Sequence, residues 1–228
     1  MNNVEATATS IRGGVTVAAK TGDKLVIENS SWTANDVYTV GDGKVYTVDP
    51  SKGIEVTVTK DMVLSAPVKQ VALHLNGISA TYGDATAIEK DSVTYVPSGT
   101  TVTLSGVTDA IAVNSASNRI NGSKYSATTI SAETWFYEAF QIASQTSASN
   151  ATFGTSKDTP NNITAGTTYV AKDTTVYIQA SENNKAITAT GAGAPELTEV
   201  TAPDSGTKGI YSFTITGAVK ADAFTPAN

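Results

Sequence analysis

Hydrophobic positions along this chain recur at intervals of two. Ile54, Val56 and Val58 alternate with Glu55, Thr57 and Thr59, and Val102 and Leu104 alternate with Thr101 and Thr103. Such alternation puts apolar side chains on one face and Thr on the other, the pattern of a half-buried antiparallel strand. Turn chemistry separates these stretches at Gly41-Asp42-Gly43, Pro50-Ser51-Lys52-Gly53, Pro97-Ser98-Gly99, Asn121-Gly122 and Asp204-Ser205-Gly206. There glycine is expected to supply a positive φ and proline a fixed one. Strands every 8 to 12 residues or so, punctuated this way, predict an all-β chain of antiparallel sandwiches.

The pattern repeats on a larger scale. Thr168 to Ile178 reads as strand, tight turn, strand, and Thr94 to Leu104 is a second version of it. Upstream, Gln70-Val71-Ala72 corresponds to Gln141-Ile142-Ala143 and Ser79 to Gly83 corresponds to Asn150 to Gly154, at a spacing of about 71 residues. Downstream, Asp109 to Val113 answers Lys185 to Ala189, and Asn121 to Ile130 answers Gly206 to Ile215 through a turn, a Lys, an aromatic and Thr-Ile. A diverged copy is read at the start, with Gly13 to Val17 in the place of Gly99 to Thr103 and Gly43 to Val48 as its closing strand. An atypical first repeat is what a capping or docking module looks like.

These correspondences predict three modules: a diverged N-terminal β-module over 1–62 with an anchoring or docking role, and β-sandwich repeats over 63–138 and 139–228. No Pro/Ser linker separates them, which predicts modules packed end to end as a stiff rod. Around the second junction, Trp135 to Ile142 could group Trp135, Ala139 and Ile142 on one side of a helix. Its aromatic enrichment favours a strand crossing the junction. On a strand, apolar side chains would fall on both faces, one in a sandwich core and one against a neighbouring module or subunit. Trp135, Phe136, Tyr137 and Phe140 are therefore the candidate inter-module or subunit contacts.

Composition narrows the function classes. Hydrophobic residues make up 40% and charged residues 16%, which excludes a highly charged disordered chain. The net charge of −6, with basic residues scattered singly, argues against nucleic acid as a partner. There is no cysteine, hence no disulfide framework, thiolate nucleophile or Cys-ligated metal. The segment Met1 to Ser10 lacks the basic and apolar regions of a secretion signal, and no apolar run reaches the length of a transmembrane helix, so membrane insertion is not expected.

Candidate chemistry is sparse. His74, the only histidine, falls on the outward face of Val71 to Leu75. No Gly-x-Ser-x-Gly elbow accompanies it, and one imidazole cannot make a multi-His metal site. Glu133 and Glu138 flank Trp135 and Tyr137 as a glycosidase pair would, but five residues apart on a strand they face opposite ways. Asp42, and Asp158 with Asn161 and Asn162, are the loops nearest to a calcium site, and turn-forming Asx chemistry explains both. Gly191 to Pro195 lacks the Lys of a phosphate loop. The expectation is no catalytic residue, no cofactor and no metal, with function at module ends, in loops around 154–165 and 191–208, and at the aromatic stretch 135–142.

Tyr95-Val96-Pro97-Ser98-Gly99-Thr100-Thr101-Val102-Thr103-Leu104, followed by Asn121-Gly122-Ser123-Lys124-Tyr125 and the closing Tyr211-Ser212-Phe213-Thr214-Ile215, resembles the immunoglobulin-like β-sandwich repeats of bacterial cell-surface proteins and phage virion proteins. The resemblance covers about 90–228 and supplies no catalytic residues. It implies a non-enzymatic structural or binding module. In a virion the chain would be a decoration, fibre or tail-associated protein that self-associates or joins other virion proteins. On a bacterial surface it would be a stalk or adhesin binding a glycan or a host protein. The absence of a secretion signal and of a wall-anchoring signal after Met1 favours the virion.

Overall fold

The structure is a computed structural model, which describes residues 7–8, 20–59, 62–143, 151–191, 193–220 and 224–227. The expected repeat start Gly13 to Val17 lies outside the described residues, as does Asn150. Every regular element among the described residues is a β-strand, so the chain is all-β. Among them no helix is long and apolar enough to cross a membrane. The chain divides into two compact units, both discontinuous in sequence: unit 1 is 1–74, 81–102 and 128–133, and unit 2 is 75–80, 103–127 and 134–228.

In unit 1, Lys24–Ile27 pairs antiparallel with Ile54–Thr57, in register Ile27 to Ile54. The predicted alternation places Ile54 and Val56 inside and Glu55 and Thr57 outside. They join Ile27, Trp32, Val40 and Val48 in one core, where the Trp32 ring stacks on Tyr38 at 4.9 Å. The strand Val68–His74 has two partners in succession. Val68 to Gln70 pair with Val37–Thr39, and Gln70 to Leu73 pair with Val93–Pro97. A tight turn at Ser98-Gly99 leads into Thr100–Ser105, whose first three residues pair with Thr128–Ile130.

Unit 2 repeats that division of labour along one longer strand, Thr134–Ala143. Trp135 to Glu138 pair with Ala110–Val113, Ala139 to Gln141 pair with Tyr169–Ala171, and Ile142 and Ala143 run parallel to Val219–Lys220. The predicted strand over 135–142 is therefore present. A four-stranded antiparallel sheet, in the order Ala151–Gly154, Thr175–Ala180, Ile210–Thr214, Thr198–Thr201, supplies Phe153, Val176, Ile178 and Phe213 to a core. Ile142, Val170, Ile187 and Phe224 come from strands outside that sheet. The packing is β-sandwich-like, with Phe224 edge-on to Phe153 at 5.4 Å and tilted against Phe213 at 5.2 Å.

Two turn expectations need correction. Gly41, Gly43, Gly53 and Gly99 have the positive φ expected of them, but Gly122 and Gly206 do not. Asp204 makes its turn with a side chain instead, its Oδ1 accepting the Gly206 N–H at 2.8 Å. Asn121 belongs to the short strand Ile120–Asn121, and its Nδ2 donates to the Ala112 carbonyl at 3.2 Å.

Gln70 and Gln141 face different positions of their partner strands. Gln70 lies opposite Pro97 and Ala72 opposite Tyr95, whereas Gln141 lies opposite Tyr169 and Ala139 opposite Ala171.

Candidate functional site

The chemically varied surface of unit 2 gathers around the hairpin between Tyr169–Ala171 and Thr175–Ala180. The Thr174 N–H closes its turn on the Ala171 carbonyl at 3.2 Å, with Asp173 in the left-handed region at φ 61°. Lys172 is held twice by one residue of Thr134–Ala143. Its N–H donates to the Glu138 carbonyl at 2.8 Å, and its Nζ lies 2.8 Å from Glu138 Oε2. The hydrogen bond to that carboxylate raises the Lys172 ammonium above the usual lysine value.

Arg119 reaches the same turn from the stretch before Ile120–Asn121. Its carbonyl accepts the Ala171 N–H at 2.8 Å, its Nη2 donates to the Lys172 carbonyl at 2.7 Å, and its Nε donates to Thr174 Oγ1 at 3.2 Å. The guanidinium carbon stands 4.1 Å above the Tyr137 ring, a cation–π contact. Tyr137 is in turn fixed by its hydroxyl, which donates to the Ala116 carbonyl at 3.1 Å.

A third element is the turn Leu75 to Ile78, closed by the Ile78 N–H on the Leu75 carbonyl at 2.9 Å, with Asn76 and Gly77 at φ 49° and 83°. Asn76 Nδ2 donates to the Phe136 carbonyl at 2.9 Å.

Arg119 separates two open depressions. The first, about 350 Å³, lies among Asn76, Ile78, Tyr137, Glu138, Lys172 and Asp173, and its charges balance: Arg119 and Lys172 against Glu138 and Asp173. The second, about 340 Å³, is lined by Ser117, Asn118, Thr155, Asn162, Thr174 and Thr175 together with Ile120. Arg119 is the one charged residue of that lining. Two of its residues, Thr155 and Asn162, belong to the loop expected to carry function. Asn162 Oδ1 accepts the Thr155 N–H at 2.8 Å, and its Nδ2 donates to Thr155 Oγ1 at 2.9 Å, so the loop is internally braced.

The sequence-predicted contact residues all lie on Thr134–Ala143. Phe136 is fully buried and meets Tyr125 edge to face at 5.1 Å. Tyr137 is buried, and Trp135 packs beside it against Ile111, Val113 and Ala139. Half-buried Phe140 packs on the main core of the unit. Both faces of the strand are thus occupied within unit 2.

The two glutamates have separate partners: Glu133 Oε1 lies 2.8 Å from His74 Nε2 in unit 1, and Glu138 holds Lys172 in unit 2. His74 is half-buried, its side chain 24% exposed, rather than fully outward. Asp42 accepts the Lys44 N–H at 3.1 Å and the Tyr46 hydroxyl, an Asx turn with an aromatic tether; burial first, and then that bond, push the Tyr46 phenol upward.

Sequence reasoning passed over Arg119, Asn76 and Gly77. Asn-Gly between alternating hydrophobic runs is itself a hairpin signal. The signal for Arg119 is scarcity. The chain uses Lys thirteen times and Arg only at positions 12 and 119, and a planar guanidinium is needed where one side chain must stack and donate in several directions at once.

No family model, no curated protein and no solved structure matches the chain.

Proposed function

We propose that the chain is a non-enzymatic structural component of a phage virion, a decoration, fibre or tail-associated protein built of tandem immunoglobulin-like modules. It assembles with itself or with other virion proteins. The observation that carries this reading is one arrangement met twice. Val68–His74 and Thr134–Ala143 each pair with one strand along their first part and with another along their second. Modules joined by a continuous strand need no linker and resist bending at the joint, which suits a load-bearing array. On this reading the second junction falls at 138–139, and the first falls within Val68–His74, a few residues beyond 62.

The hairpins of the two later modules add to it. Gly99 and Asp173, 74 residues apart, stand at the same turn position. Val96, Val102, Val170 and Val176, at matching places beside them, are all fully buried. Particles purified from an infected or induced culture should contain the chain at a fixed ratio to the capsid or tail proteins. Its absence from every particle fraction would remove this reading.

A second reading, a bacterial surface stalk or adhesin that binds a glycan or a host protein, is favoured by the polar depression beside Arg119. It predicts binding by the isolated chain without particles.

A further inference from the structure

We propose that the depression lined by Ser117, Asn118, Arg119, Thr155, Asn162 and Thr175 binds a saccharide that carries a carboxylate. The inference rests on the second reading above and gives it a site and a ligand class. A guanidinium has five N–H donors, and Arg119 commits two of them, Nε to a hydroxyl and Nη2 to a backbone carbonyl. Nη1 makes no hydrogen bond among the described residues. The Nη1/Nη2 end of the group keeps the parallel pair of donors that matches a carboxylate. Both acceptors already used are neutral, so the positive charge has no hydrogen-bonded counter-ion among the described residues.

The group is also held in place before any ligand arrives. The Tyr137 ring lies beneath it, the turn carbonyl of Lys172 and the Thr174 hydroxyl grip one edge, and Tyr137 is anchored to Ala116. An arginine ordered in advance costs less entropy on binding than a free surface side chain.

The rest of the wall points to the ligand class. Asn118 spends its Oδ1 on the Ile120 N–H at 3.3 Å and keeps its amide Nδ2 for another acceptor. Thr175 is on the exposed side of a strand whose Val176 and Ile178 are fully buried. Ile120 is the single apolar residue of the lining. Hydroxyls and amides at fixed positions match the hydroxyl groups of a sugar, and they offer too little apolar area for a peptide side chain or an acyl chain. A volume of about 340 Å³ admits a short saccharide. One guanidinium on a chain of net charge −6 provides for one carboxylate, not for a polyphosphate backbone.

The test is titration calorimetry of the full chain with oligosaccharides ending in glucuronic or sialic acid, beside their carboxyl-reduced neutral counterparts and a glutamate-containing tetrapeptide. At least one acidic saccharide should bind, with its reduced counterpart and the peptide weaker by about ten-fold or more, the step that one lost charge-assisted contact makes. Arg119→Gln should lose that affinity.

Because Arg119 also ties the turn, Asn118→Asp is the decisive variant. It is isosteric, keeps the Oδ1 acceptor and adds a charge that repels a carboxylate. It should melt as the parent does and bind the acidic saccharide about ten-fold or more weakly. Equal affinity for acid and reduced sugar, equal affinity for the peptide, or undiminished binding by Asn118→Asp would each overturn the proposal. Undiminished binding would leave glycan recognition standing at another site. A panel in which no saccharide binds would overturn the site and the adhesin reading together, and leave the virion reading to the particle experiment.

Discussion

Asp173 holds, at φ 61°, the hairpin position that Gly99 holds at φ 93°, and each donates its N–H to an isoleucine carbonyl, Ile215 at 2.8 Å and Ile130 at 2.9 Å. The same backbone geometry is thus met once with the residue that adopts it freely and once with an L-residue whose short polar side chain tolerates it. A Cβ at Gly99 would touch nothing within 4 Å, so the cost of adding one is conformational alone. Gly99→Ala should destabilise unit 1 by about 1–2 kcal/mol. Asp173→Gly should change stability by less than about 1 kcal/mol, because relief of the positive φ is offset by the greater freedom of the unfolded chain. Urea unfolding midpoints at unchanged slope measure both. A neutral Gly99→Ala contradicts the assignment.

Gly154 makes the opposite case. Its φ is ordinary, but a Cβ there would lie 2.5 Å from Pro160 Cα, a backbone atom that cannot swing aside. Gly154→Ala should therefore cost about 1–3 kcal/mol by overpacking. It should also loosen the Thr155–Asn162 brace, seen as faster hydrogen exchange of the Thr155 amide. Unchanged exchange and melting would show that the loop yields more readily than its packing implies.

Phe136 is the largest fully buried side chain among the described residues. Phe136→Ala should cost about 3–5 kcal/mol. A double-mutant cycle with Tyr125→Leu should isolate an edge-to-face coupling of about 0.5–1.5 kcal/mol. By contrast, Glu138→Gln removes a partly exposed ion pair with Lys172 and should cost far less than the loss of a core ring. Thermal melts of the three variants separate a core position from a surface one. A Glu138→Gln loss as large as that of Phe136→Ala would refute the distinction.

Acid sensitivity follows from two turns. The Gly206 N–H holds the Asp204 carboxyl below its ordinary value of 3.8, and the Ser51 hydroxyl does the same for Asp49. A lowered folded value means that these turns stabilise fully above the ordinary aspartate range. The contribution is lost as pH falls through that range towards the lowered values. Asn at each position keeps an oxygen acceptor and removes the titration, so Asp49→Asn/Asp204→Asn should lose less stability than the parent between about pH 6 and about pH 3. Identical acid profiles by chemical denaturation would contradict the assignment.

Much of this fold was legible in period-two patterns. Ile54, Val56 and Val102 are buried where alternation puts them, with Leu104 half-buried on the same face, because a half-buried strand leaves that imprint on its own sequence. Less could be read where the cause is long-range. The register that sets Gln70 opposite Pro97 but Gln141 opposite Tyr169 is a property of strand pairing and so is silent in sequence. Tyr125 looked like part of a closing strand, but it stands outside the strands and packs its ring on Phe136. The Arg119 site depends on a guanidinium, a ring and a turn brought together from segments far apart in the chain. Only the rarity of arginine hinted at it.

Sedimentation equilibrium of the full chain, with particle association as its complement, tests the central claim most directly. A virion component should sediment as a closed symmetric oligomer, commonly a trimer, across a wide concentration range. A chain that remains strictly monomeric at every concentration, and that is absent from purified particles, would contradict the account.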